Sequence, residues 1–214
     1  MKVLYRLTSI NSINKIRPVE LDKQGLIKLC MDSFVEAFKS VEPFIYFIID
    51  KPTIELVELC DNIPLDHEME ILHTDDWNSG NIASFHRQVD IARETDDDVF
   101  FLEDDYFFLP NAGEKMLEGL KKYEYVSPYH HPSKEPKSDV IDGWQLIPST
   151  TLTFATNPKY LPKDIKEFGW AEEQIWAEIW KNYRLAQPIP SLATHMETPF
   201  LAPSVDWNFE GTNA

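Results

Sequence analysis

Hydrophobic and polar positions change period along this chain. Val3 to Leu7 is a short apolar run closed by Thr8-Ser9, which predicts a strand. Leu26, Leu29, Cys30, Phe34, Ala37 and Phe38 then recur at helical spacing, with Asp22 near the start to cap an amphipathic helix. Phe44 to Ile49 predicts a second strand, ending on Asp50. A short helix over about Thr53 to Cys60 and a third strand over about Met69 to His73 follow, the latter ending on Asp75-Asp76. Ile82, Phe85, Val89 and Ala92 mark the next helix, which leads into Val99-Phe100-Phe101-Leu102. That run has no alternation, so it predicts a strand buried on both faces. It stops on Glu103-Asp104-Asp105 and resumes as Tyr106-Phe107-Phe108.

The alternation βαβαβαβ predicts an α/β fold, a mostly parallel central sheet flanked by helices on both faces. All four strands end in polar or acidic residues on one edge, where open α/β sheets bind ligands. Carboxylates pinned there suit a hard divalent cation such as Mg²⁺ or Mn²⁺, which would hold a phosphate. Asp96-Asp97-Asp98, just upstream, reads instead as a solvated turn. The chain has neither a Gly-x-Gly-x-x-Gly turn nor a Gly-Lys-Ser/Thr phosphate loop, which counts against hydride transfer and P-loop hydrolysis.

With 214 residues, 43% hydrophobic, the chain is expected to fold as one domain over residues 1–205, with 206–214 as a polar tail or a linker to further domains. A formal charge of −16 argues against a nucleic-acid partner, because phosphate backbones are held by clustered Lys and Arg. Cys30 and Cys60 lie in apolar helical patterns and read as buried thiols of a reducing compartment. With no signal peptide and no membrane span in the sequence, a cytoplasmic location is expected, that of the host cell if the protein is viral. Pro128 to Asp142 has a loop composition, so His130 and His131 are expected to face solvent, and Trp144 is either a core anchor or a stacking platform for a sugar.

The segment Asn78 to Arg87, followed after a helix by Phe101-Leu102-Glu103-Asp104-Asp105, resembles the family 2-like GT-A glycosyltransferases: a glycine-started helix bearing an Arg, then a strand ending in Asp-x-Asp. Glu103 stands at the first Asp of that motif. The resemblance implies a single Rossmann-like domain, a UDP-sugar donor, a glycan or other hydroxyl acceptor, and Mn²⁺ or Mg²⁺. Asp105 would hold the ion, with Asp104 and the late His195 as further ligands. Thr8, Ser9, Asp50, Asp76, Arg87, Glu103 and Asp104 would contact the nucleotide-sugar. Phe168-Gly169-Trp170-Ala171-Glu172-Glu173 resembles the segment in which a carboxylate opens a helix beneath the acceptor, making Glu172 or Glu173 the general base. Rival readings are a sugar-phosphate nucleotidylyltransferase, whose glycine-rich basic loop is missing after Leu7, a metal-dependent phosphohydrolase, and a non-enzymatic carbohydrate-binding domain.

Overall fold

A computed structural model describes residues 1–10, 16–72, 80–168 and 171–209. In chain order the first half is β1 (Lys2–Thr8), α1 (Lys23–Phe38), β2 (Phe44–Asp50), α2 (Ile54–Asp61), β3 (His67–Leu72), α3 (Asn81–Ala92) and β4 (Val99–Leu102). The helices start where the sequence supplies caps. Asp22 accepts from the Gly25 N–H at 2.7 Å, and Thr53 Oγ1 from the Leu56 N–H at 3.2 Å. β1 lies between β2 and β4, and β3 extends the set beyond β2, all parallel. The register sets Thr8 beside Asp50 and Tyr5 beside Leu102, so the polar strand ends share one edge.

Successive side chains of a strand point to opposite faces, and here both faces are apolar. Val3, Tyr5, Leu7, Phe47 and Phe100 pack with Ile27, Phe34 and Phe38 of α1. Leu4, Ile48 and Phe101 pack on the other side with Phe85 and Val89 of α3. Each fully buried Phe contributes about 1.5–3 kcal/mol from burial. That is why α1, which carries Phe34 and Phe38 stacked at 4.6 Å, holds one face of the sheet firmly.

The second half runs β5 (Tyr106–Phe108), α4 (Ala112–Leu120), β6 (Tyr125–Val126), β7 (Trp144–Ile147), β8 (Phe154–Thr156), α5 (Glu172–Trp180), β9 (Leu185–Pro188) and β10 (Ala193–His195). It continues the sheet in the order β3-β2-β1-β4-β8-β6-β9-β7, with β8 antiparallel to β4 and β6, and β7 antiparallel to β9. β5 leaves the main sheet and pairs antiparallel with β10, bringing His195 opposite Tyr106. α5 closes the α3 face with Ile175, Trp176 and Ile179.

One expectation changes, and two others gain detail. Trp144 takes the core-anchor reading: it is 3% exposed and its indole abuts Gly119, where an added Cβ would meet the ring at 2.5 Å. His131 is buried rather than solvent-facing, because Tyr129 and Phe200 enclose its ring. The start of the expected tail is packed: Trp207 Nε1 donates to the Ala202 carbonyl at 2.8 Å, and the rings of Trp207 and Phe209 meet Phe107. Cys30 and Cys60 are buried free thiols. Among the described residues no helix is long and apolar enough to cross a membrane.

Candidate active site

At the carboxyl edge of the parallel strands lies a cavity of about 240 Å³. Because the chain turns between β4 and β5, its three consecutive carboxylates point to three different partners. Glu103 receives Arg6 Nη2 at 2.5 Å and the Thr153 hydroxyl at 3.0 Å. Asp104 receives Lys23 Nζ at 2.8 Å and the Thr8 N–H at 3.0 Å. Asp105 receives Arg17 Nη1 at 3.2 Å on Oδ2, while His195 Nε2 lies 3.3 Å from Oδ1. Burial pushes the Asp104 carboxyl upward and the Asp105 charge adds to that, against the pull of Lys23 and the Thr8 N–H. α3 begins at the same wall: Gly80 caps it at φ +88°, a left-handed geometry that glycine adopts without strain, and Ser84 lines the cavity. An exposed helix amino terminus there favours an anion.

A second pocket of about 190 Å³ adjoins the first, and His195 stands in the wall of both. Tyr129, His131, Thr151, Glu172, Glu197 and Phe200 complete it. Glu172 opens α5. Burial pushes its carboxyl up to about 7, helped by the Glu103 charge and opposed by Arg6 and Lys134. Burial also pulls the His131 imidazole down to about 4, so it is neutral at pH 7. His195 packs edge-on against Tyr106 and Phe200, and its Nδ1 lies 3.8 Å from Glu197 Oε2.

The structure gathers Thr8, Asp50, Glu103, Asp104, Asp105 and His195 around the first cavity and Glu172 in the second. Ser9 sits outside the lining, its hydroxyl donating to the Lys51 carbonyl. Asp76 lies outside the described residues. Arg87 is not brought to the cavity. It pairs with Glu70 of β3 at 2.8 Å, where Tyr46 also donates to that carboxylate, because nearly two turns into α3 the edge-strand acid is the nearer anion. Glu173, one position past Glu172, is 90% exposed and 4.0 Å from Lys134. Adjacent helical positions diverge by about 100°, so only one of the two glutamates faces the pocket.

Sequence reasoning missed the cations Arg6, Arg17 and Lys23. Arg6 carried a signal, a charged residue inside an otherwise apolar strand and only 5% exposed. Lys23 follows a helix cap and Arg17 lies in a polar loop, so neither stood out.

Among the described residues no group of three or more His, Cys, Asp or Glu assembles a cation cage. Asp105 Oδ1 and His195 Nε2 nevertheless lie 3.3 Å apart. Two ligands at roughly 2.0–2.2 Å and right angles around one ion lie about 3 Å apart. This pair therefore fits a small divalent ion that completes its shell with phosphate oxygens and water.

No protein-family profile matches the chain, and no curated protein matches it. Solved structures do. TarS of Staphylococcus aureus, residues 1–349 in complex with UDP, superposes with a TM-score of 0.55 at 12% identity, covering 86% of this chain and 56% of that one. This chain thus spans little more than half of the TarS structure. A Desulfovibrio desulfuricans G20 protein designated a nucleotide-diphospho-sugar transferase gives 0.52 at 13% identity, covering 86% of this chain and 77% of that one. The 4-diphosphocytidyl-2C-methyl-D-erythritol synthase of Anaerococcus prevotii DSM 20548 gives 0.52 at 13%, covering 86% of each.

The fold is the α/β fold of nucleotide-sugar transferases. Nucleotidyl-transferring enzymes share it equally, so the fold does not choose between transfer of a sugar and transfer of a nucleotidyl group.

Proposed function

We propose that this chain is a metal-dependent glycosyltransferase that moves a hexose or deoxyhexose from a UDP-sugar to a hydroxyl of a glycan. The observation that carries the reading is Glu172: a half-buried carboxyl in the wall of a pocket that shares His195 with the carboxylate cavity, its pKa pushed up to about 7. A base poised near neutrality beside an anion-binding cavity is what acceptor deprotonation requires. In this reading the donor lies in the first cavity. Thr8 and Asp50 contact its nucleoside, and the diphosphate meets the start of α3. Asp105 and His195 would hold Mn²⁺ or Mg²⁺, with Asp104 beside them, and the ion would neutralise charge on the departing diphosphate.

The acceptor sugar lies in the second pocket against Phe200 and Tyr129. Glu172 takes the proton from its hydroxyl as that oxygen bonds to the anomeric carbon. The bond to the diphosphate breaks, and its electron pair leaves with the phosphate. The product is inverted. The neutral His131 and the Thr151 hydroxyl offer hydrogen bonds to the acceptor without adding a charge.

The sequence also resembles the amino-terminal glycosyltransferase domain of a large chlorovirus protein; on that resemblance the acceptor is a glycan and further domains follow this one. The buried free thiols suit a reducing cytoplasm. A nucleotidylyltransferase is the second reading, favoured by the shared fold. Thr8 to Lys15 contains no glycine and a single cation, which counts against it.

Product analysis separates the two. A UDP-sugar with Mn²⁺ and a glycoside acceptor should give UDP and an extended glycoside of inverted configuration by NMR. Release of pyrophosphate from a nucleoside triphosphate and a sugar phosphate, with no glycoside formed, would establish the second reading in its place.

A further inference from the structure

The cavity that would take the donor is charge-balanced inside a strongly acidic chain. Arg6, Lys23 and Lys51 line it with Asp50, Glu103, Asp104 and Asp105, and Arg17 reaches Asp105 from beside it. Four cations thus stand with four carboxylates among the described residues. Lys23 is the more unusual of them: 7% exposed, at the first position of α1, its Nζ 2.8 Å from Asp104 Oδ1. Arg17 is anchored as well, donating from Nη1 both to Asp105 Oδ2 and to the Met196 carbonyl. Asp104 and Asp105 are therefore neutralised before any ligand arrives.

We propose that Lys23 and Arg17 are resident counter-ions of this carboxylate pair and make metal binding conditional on a nucleoside diphosphate. A divalent ion arriving alone would place two positive charges beside the largely buried Lys23 and Arg17, and like charges at such separations repel. A diphosphate arriving with the ion restores the balance. Its oxygens give the two side chains a new anion, so they leave Asp104 and Asp105 to the metal. Lys23 lines the cavity and has the shorter path to those oxygens. Ion and nucleotide then bind as a unit. Because coupling between two ligands is reciprocal, each must tighten the other by the same factor.

This inference rests on the donor reading above, and its test separates the two. Binding of Mn²⁺ to the full chain is followed by loss of the free-ion EPR signal, with and without saturating UDP, and binding of UDP by calorimetry with and without Mn²⁺. The expected result is Mn²⁺ affinity about tenfold or more higher with UDP, matched by the same factor on UDP. Arg17→Met and Lys23→Met should each raise the nucleotide-free Mn²⁺ affinity, by about threefold or more, because they leave a buried carboxylate without its cation. Lys28→Met, on the same helix but paired on the surface with Asp32, should change neither constant.

Mn²⁺ that binds equally tightly without UDP would overturn the inference and leave the donor reading standing. Folded Met variants with unchanged Mn²⁺ affinity would do the same. If UDP binds under neither condition, both fall together. Thermal midpoints establish that the variants fold, and if Lys23→Met does not, Arg17→Met and the wild-type ratio decide.

Discussion

The cavity at the strand ends and the pocket beside it share His195 and differ in how they treat a carboxylate. In the first, Glu103, Asp104 and Asp105 are each paired with a cation. In the second, Glu172 makes no hydrogen bond or ion pair among the described residues, and burial raises it to about 7 against the more distant charges of Arg6 and Lys134. One arrangement answers each carboxylate with a cation, whereas the other leaves a carboxyl that holds its proton to about pH 7. Carboxyl groups of one chemistry thus acquire different properties from their surroundings alone.

The largest expected effect comes from removing a fixed charge. Asp105→Asn should lower metal-dependent transfer by roughly 10²-fold or more while the protein stays folded, and Asp97→Asn, in the upstream turn, should leave the rate unchanged. Equal small effects on a transfer assay would erase the distinction between the acidic strand end and an ordinary solvated turn.

Next is the mobile proton. Glu172→Gln should lower transfer by about 10²-fold without weakening UDP binding, and Glu173→Gln should do little. Wild-type transfer should rise with pH through about 7, as the base ionises, and the Gln variant should lose that rise.

Stability moves the opposite way. The folded carboxyl keeps a proton that the unfolded chain has lost, so between about 4.5 and 7 the contribution of Glu172 to stability falls as pH rises, and above that window the buried charge is a net cost. At pH 8, Glu172→Gln should therefore raise the thermal midpoint by about 2–4 °C. A variant that is less stable at pH 8 would mean that the carboxylate is not strained there.

A smaller effect concerns donor choice. With Mn²⁺, UDP should raise the thermal midpoint more than ADP, GDP or CDP, by the mass-action gain of about 2.7 kcal/mol when ligand stands at a hundred times its Kd. A larger shift from GDP would reassign the first cavity to another base. Smallest of all is Arg87→Ala. Its pair with Glu70 is about one third exposed on each side, so removal should cost at most ~1 kcal/mol and change UDP affinity less than about threefold. A large loss of UDP binding would instead bring Arg87 back to the donor.

The parallel half of the fold is legible in the sequence because its strands are long apolar runs and its helices carry both a period and a cap. Asp22, expected near the start of the first helix, caps it, and Thr53, expected as the first residue of the second, proves to be its cap. The later half is not, since β6 spans two residues and β8 three, too few to show a period, and their pairing partners are distant in sequence. Asp104 and Asp105 are legible as a run on a strand end, but their cations come from separate loops and helices and become partners only through the fold. His131 misleads for the same reason: a proline-rich loop predicts exposure, and only the rings of Tyr129 and Phe200 bury it.

The pairing of β5 with β10 has a consequence for how the molecule comes into being. The four strands that lead to Asp105 are complete by Leu102, while His195 and the Met196 carbonyl that anchors Arg17 come more than ninety residues later. During synthesis the parallel half can settle early. The acidic strand end must then wait, with its carboxylates already in place, until the chain returns to close over it. A nascent chain halted before Ala193 would keep the strands of the main sheet and lack the His195 wall that both cavities share.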